Sequence, residues 1–244
     1  MSKGTLRQIL LLTDGHSNRG EDPVAMAALA KEQGITVNVI GIVDEGHLGD
    51  EGIQEVEAIA LAGGGVSQVV YSQQLAKTVQ LVTRKAMTQT IQRVVNRELQ
   101  QIFGEKHELE DLPPEKRGQV MEVVDDLGET MDLEVLILVD TSASMKNKLP
   151  MVQEALTDLS ISLSSRIGSN RFSLYTFPGK KDEIERILDW TPKIGSLTGV
   201  FHKLTSSGVT PTGPAIKRAI HQFPATKERR GWLADDEFYE EAGM

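Results

Sequence analysis

The sequence predicts an α/β fold in which helices cover both faces of a mainly parallel sheet that carries one antiparallel edge strand. Three observations point there. Short apolar runs of strand length occur at 6–13, 35–43 and 133–139, without the polar alternation of a sheet that has one wet face. Segments with apolar residues at helical spacing alternate with these runs, as crossovers between parallel strands require. Two shorter strands, 172–177 and 184–190, flank Pro178-Gly179-Lys180-Lys181, a turn composition that joins antiparallel neighbours.

The elements follow in order. The first strand, 6–13, is broken by Asp14-Gly15. Asp22 then serves as a helix N-cap with Pro23 at the first helical position, and Gly34 stops that helix after Gln33. The strand at 35–43 precedes a helix over about 52–61. Gly63-Gly64-Gly65 leads into a strand at 66–71. This glycine run lies between helix and strand, the reverse of a phosphate-binding loop, so it reads as a helix stop. A long helix over about 73–103 has its apolar face at Leu75, Val79, Val82, Ala86, Ile91, Val94 and Leu99. Charged residues and Pro113-Pro114 then mark a connector with a short helix at 115–127. The strand at 133–139 ends in Asp140-Thr141-Ser142-Ala143-Ser144 and is followed by a helix over 150–166. After the hairpin come a helix at 196–204, the loop Gly208-Val209-Thr210-Pro211-Thr212-Gly213 and a helix over 214–223. The expected organisation is therefore one domain made of 1–103 and 132–223, joined by a connector at 104–131 and followed by an acidic tail at 224–244.

Composition narrows the function. A net charge of −9 and a pI near 5.1 oppose the broad positive field of a nonspecific nucleic-acid binder. The clusters Lys180-Lys181 and Lys227 with Arg229-Arg230 have acidic neighbours and read as solvated surface. No apolar run approaches the roughly 20 residues that span a bilayer, so no membrane role is expected. The start of the chain passes into a core strand without a signal-cleavage pattern, which favours a cytoplasmic location. The absence of cysteine excludes disulfides, thiolate catalysis and cysteine-ligated metals. His16, His47, His107, His202 and His221 are scattered without ligand spacing, and Met145 and Trp190 read as packing residues.

In open parallel sheets, ligands bind beyond the carboxyl ends of strands, near the point where strand order reverses. Asp14 and Asp140 each follow an apolar strand, which directs both to that edge. In the Asp-x-Ser-x-Ser turn a carboxylate and two hydroxyls can face one point, and Thr210 offers another hydroxyl. Hard cations such as Mg²⁺ take such oxygen donors. Two carboxylates only neutralise a divalent ion, which leaves it able to accept a further carboxylate. No His or Glu lies within these motifs except His16, so general-base catalysis is not expected.

The three segments together resemble the metal-ion-dependent adhesion site (MIDAS) of von Willebrand factor A (VWA) domains, a Rossmann-like fold. The family places the Asp-x-Ser-x-Ser strand first, then the threonine loop, then the Asp-Gly strand; here Asp14-Gly15 comes first. The resemblance therefore implies a circularly permuted domain, and it extends to small VWA proteins of spore-forming bacilli. It implies five metal positions: Asp140, Ser142, Ser144, Thr210 and Asp14. Thr212 would stand behind them, and Thr13, Ser17 and His16 would orient waters or carboxylates. The implied cofactor is Mg²⁺, with Mn²⁺ or Ca²⁺ as substitutes.

The expected function is a noncatalytic adaptor that holds an Asp or Glu of a protein partner through the metal. Family analogy adds an AAA+ ATPase as a possible partner, and this chain has no Walker A sequence of its own. One alternative is a metal-assisted phosphohydrolase with Asp140 as nucleophile. Ser142 stands where haloacid-dehalogenase-like enzymes carry their second Asp, which removes the usual acid/base. The other alternative is a structural domain without metal. Asp14 of one chain completing the site of another, in a domain-swapped dimer, is also compatible with the long connector.

Overall fold

Six strands form one sheet in the computed structural model of the chain, which describes residues 4–15, 17–43, 49–103, 109–194 and 209–224. The strands are β1 (Thr5–Thr13), β2 (Ile35–Val43), β3 (Gly64–Tyr71), β4 (Asp132–Asp140), β5 (Asn170–Phe177) and β6 (Glu185–Thr191). Their spatial order is β3-β2-β1-β4-β5-β6. Every pairing is parallel except β5 with β6, so the sheet is mainly parallel with one antiparallel edge, as the apolar runs and the hairpin predict. The helices are α1 (Pro23–Glu32), α2 (Asp50–Ala62), α3 (Leu75–Phe103), α4 (Pro114–Thr130), α5 (Leu149–Leu163) and α6 (Thr212–Ile220).

Alternation along the central strands sorts the core into two layers. Leu10 and Leu12 of β1, with Val135, Ile137 and Val139 of β4, pack under α3, α4 and α5. Ile9 and Leu11, with Leu136 and Leu138, face α1, α2 and α6. All nine of these side chains are fully buried, which is why β1 and β4 are apolar at every step rather than at alternate ones.

Local signals place the helices. The Asp22 carboxylate accepts a hydrogen bond from Val24 N at 3.0 Å, Pro23 opens α1, and Gly34 takes a positive φ of 75° where the chain turns into β2. Gly64 and Gly65 lie inside β3 rather than before it. At Gly65 a Cβ would overlap Val37 O, and Asn38 Oδ1 accepts from Val66 N at the irregularity between β2 and β3. The connector helix α4 is longer than the 115–127 expected. Its end is held by Arg166, which donates to Gly128 O and Met131 O, and this contact directs the chain into β4. The expected helix at 196–204 and most of the tail lie outside the described residues.

The sheet's central pair joins distant parts of the chain. β1 and β4 run in register from Thr5 opposite Asp132 to Leu12 opposite Val139. Their C-terminal ends therefore finish side by side, and Asp14 and Asp140 emerge at one edge. At the other edge Glu134, nearly buried, is paired with Arg7 of β1 and Arg171 of β5, so one carboxylate ties three adjacent strands.

Candidate metal centre

The Asp-x-Ser-x-Ser turn is fixed by its own backbone before any ligand is considered. Asp140 is the last residue of β4, and its Oδ1 accepts from Ser142 N at 2.8 Å, a local bond that Asp forms readily at such turns. Thr141 donates to Phe177 O from both its backbone N–H and its hydroxyl, which pins the turn to the end of β5. Residues 143–147 form a short 3₁₀ turn, with Met145 N donating to Ser142 O and Lys148 N to Met145 O. Met145 is fully buried and anchors the loop from below, the packing role expected of it. Trp190 also packs, and its indole N–H donates to Gln222 O.

Side chains from both halves of the chain converge on this turn. The Ser142 and Ser144 hydroxyls lie 3.1 Å apart, and Ser144 Oγ donates to Asp14 Oδ1 at 2.8 Å. Thr13 Oγ1 donates to Asp140 Oδ2, also at 2.8 Å. Asp140, Ser142, Ser144 and Asp14 are thus joined into one cluster, and Thr13 orients a carboxylate as expected. The Asp140 side chain is buried and has no exposed surface. Burial pushes its carboxyl up to about 6, although Ser142 N and the Thr13 hydroxyl pull the other way; the Asp14 charge adds to the rise.

Thr210 comes alongside through its backbone. Asn18 N and Ser17 Oγ donate to Thr210 O, and Thr210 N donates to Asn18 Oδ1. Ser17 N in turn donates to Glu55 of α2. The threonine loop and the loop after β1 are therefore laced together. The Thr210 hydroxyl makes no hydrogen bond with Asp14, Asp140, Ser142 or Ser144 among the described residues. Gly213 is required at this junction, because a Cβ there would overlap Glu21 O just before α1. His16 lies outside the described residues.

One residue of the cluster lies outside the sequence motifs. Lys148, immediately before α5, reaches Asp14 Oδ2 at 2.5 Å, with its side chain 9% exposed and that of Asp14 1%. A run of Lys146-Asn147-Lys148 at a helix start reads as solvated surface. No sequence signal marks it, since Lys146 lies between the same two buried apolar residues, Met145 and Leu149, and is exposed.

The donor set suits a hard divalent cation. It consists of two carboxylates and neutral hydroxyls, all oxygen, and among the described residues no group of three or more His, Cys, Asp or Glu is placed to hold a metal. Thr212 Oγ1, in the same loop as Thr210, is buried without a hydrogen-bond partner among the described residues, an atom that a water or ligand behind the site would satisfy. A cation against Asp140 would also relieve the cost of burying its charge. Next to Val209 and Pro211, the neighbours of Thr210, lies an open groove of about 960 Å³ whose lining mixes Arg19, Lys181 and Arg218 with Glu21, Asp182 and Glu183.

Comparison with known proteins gives two matches to the von Willebrand factor type A domain, over residues 2–85 and 135–233. Over its full length the chain is 64% identical to "Uncharacterized protein YabS" of Bacillus subtilis (strain 168), covering 100% of both chains. A crystal structure of an uncharacterized protein from Alicyclobacillus acidocaldarius subsp. acidocaldarius DSM 446 is 40% identical, covers 96% of each chain and superposes with a TM-score of 0.81. No helix among the described residues is long and apolar enough to cross a membrane. Since each half of the sheet matches the same domain type and the whole length is shared with these relatives, the chain belongs to the von Willebrand factor type A family.

Proposed function

We propose that this is a circularly permuted VWA domain whose Asp140, Ser142, Ser144, Thr210 and Asp14 hold Mg²⁺, and that the bound ion captures an Asp or Glu of a protein partner. The observation that carries the reading is the hydrogen-bonded cluster of Asp14 with Ser144 and Ser142 beside Asp140, drawn from segments 126 residues apart. The pairing of β1 with β4 in one sheet supports the permutation: the segment bearing Asp-Gly comes earlier in the chain yet lies beside the segment bearing Asp-x-Ser-x-Ser. When bound, the ion supplies an electrophilic position for a carboxylate oxygen. The chain's own groups orient that position. Thr13 and Ser142 N fix Asp140, Ser144 fixes Asp14, and the Ser17-Asn18 segment fixes the threonine loop.

The groove next to the threonine loop, lined by charges of both signs, gives a partner segment room. The role is noncatalytic and cytoplasmic in this reading. An AAA+ ATPase is one partner class implied by the family, in which case nucleotide hydrolysis belongs to the partner.

The test is a Mg²⁺ and Mn²⁺ titration followed by thermal unfolding. A ligand bound only by the native state raises stability as its concentration exceeds Kd. Wild type should gain stability with either ion, Asp140→Ala should gain none, and Asp14→Ala should need far more metal. A pull-down with wild type and Asp140→Ala, each in Mg²⁺ and in EDTA, then reads the partner. Equal stability curves with and without metal for wild type would rule the reading out.

A further inference from the structure

We infer that Lys148 makes metal and acidic ligand bind as a pair: its ammonium weakens the hold on a bare divalent ion and strengthens the metal-loaded site's preference for a carboxylate. This deepens the metal-dependent reading above and rests on it. The geometry carries the argument. Lys148 Nζ lies 2.5 Å from Asp14 Oδ2, and both side chains are nearly enclosed, so solvent and salt screen this charge far less than they would at the surface. Its backbone is held on both sides, with Lys148 N donating to Met145 O and Val152 N to Lys148 O. The enclosure of both side chains keeps the ammonium beside Asp14. It cannot itself serve as a ligand, because a protonated lysine has no acceptor.

Charge addition gives the consequence. Asp14, Asp140 and Lys148 together carry one negative charge, a divalent ion makes the site positive by one, and an incoming carboxylate brings it to neutrality. Without Lys148 the same ion would neutralise the site and a carboxylate would leave it negative. The lysine thus opposes the metal alone and favours the metal with its anionic partner, a coupling that works equally in both directions. It also gives Asp14 a counterion when no metal is bound, so the metal-free protein does not bury that carboxylate unpaired.

The experiment follows free Mn²⁺ by electron paramagnetic resonance at mildly alkaline pH, using the full chain with and without excess acetate as the carboxylate probe. Wild type should bind Mn²⁺ weakly alone and several-fold more tightly with acetate. Lys148→Met should bind bare Mn²⁺ more tightly, on the order of tenfold, and lose the acetate enhancement. Lys148→Gln, which still offers Asp14 a hydrogen bond, should do the same and covers the case in which the Met variant fails to fold. Lys148→Arg keeps the charge and should behave like wild type. A folded neutral variant that binds bare Mn²⁺ no more tightly than wild type would overturn this inference and leave the metal reading standing. Tighter binding by Lys148→Arg would overturn it too, since charge would not then be the cause. If wild type and all variants leave Mn²⁺ free, the metal reading itself falls.

Discussion

Asp140 has no exposed surface, and burial pushes its carboxyl up to about 6 from an ordinary value of 3.8. Between those values the folded protein binds the proton that the unfolded chain has released, so this group lowers stability as pH rises through the window. Above it the cost is complete, on the order of 2–3 kcal/mol. In EDTA, Asp140→Asn should therefore be more stable than wild type at neutral pH, with the difference vanishing near pH 4 as the wild-type carboxyl protonates. The substituted amide has a partner ready: it can donate to Thr13 Oγ1, whose proton then turns to Gly15 O, 3.2 Å away. Urea unfolding across the window checks this, and parallel stability curves for the two proteins would contradict it. Most of the cluster is legible in the sequence because Asp14 and Asp140 stand directly after apolar strands, so the strands' direction fixes theirs. Lys148 is not legible. Its burial depends on a partner 134 residues earlier, and nothing local distinguishes it from Lys146, which is exposed.

Among the elements, α6 and α1 meet more closely than side chains would allow. Gly213 sits in the first turn of α6 with no room for a Cβ against Glu21 O. Gly213→Ala should therefore push α6 and the threonine loop away from α1. Overpacking of this kind costs about 1–3 kcal/mol, and here metal affinity should fall as well, because Thr210 moves with the loop. Chemical unfolding and a Mn²⁺ titration of the variant measure both; lost stability with unchanged affinity would mean that the loop does not take part in the site. The central strands β1, β2 and β4 were legible nearly to the residue, since burial on both faces leaves an unbroken apolar run. The helices were less so. Asp22, Pro23 and Gly34 mark both ends of α1, whereas α4 has only Val124 fully buried. Its end is held by Arg166 from the bend after α5, a contact that no local pattern announces.

For the whole molecule, the decisive pairing is β1 with β4. Each supplies the other's central edge, and the two halves of the chain meet there in an eight-residue register. Cleaving an engineered protease site placed between Phe103 and Leu109 should leave a complex that migrates as one species and still binds metal, because the sheet rather than the connector holds the halves together. Separation of the fragments on gel filtration without denaturant would show that covalent linkage is required. The same arrangement sets an order of events during synthesis. When the ribosome has made only the first hundred residues, β1 has β2 on one side and nothing on the other, so Ile9, Leu10, Leu11 and Leu12 form an open apolar strand edge of the kind that recruits wrong partners. The nascent chain must keep that edge unpaired until β4 has left the exit tunnel. The N-terminal half made alone should accordingly be poorly soluble, and coexpression with the C-terminal half should rescue it.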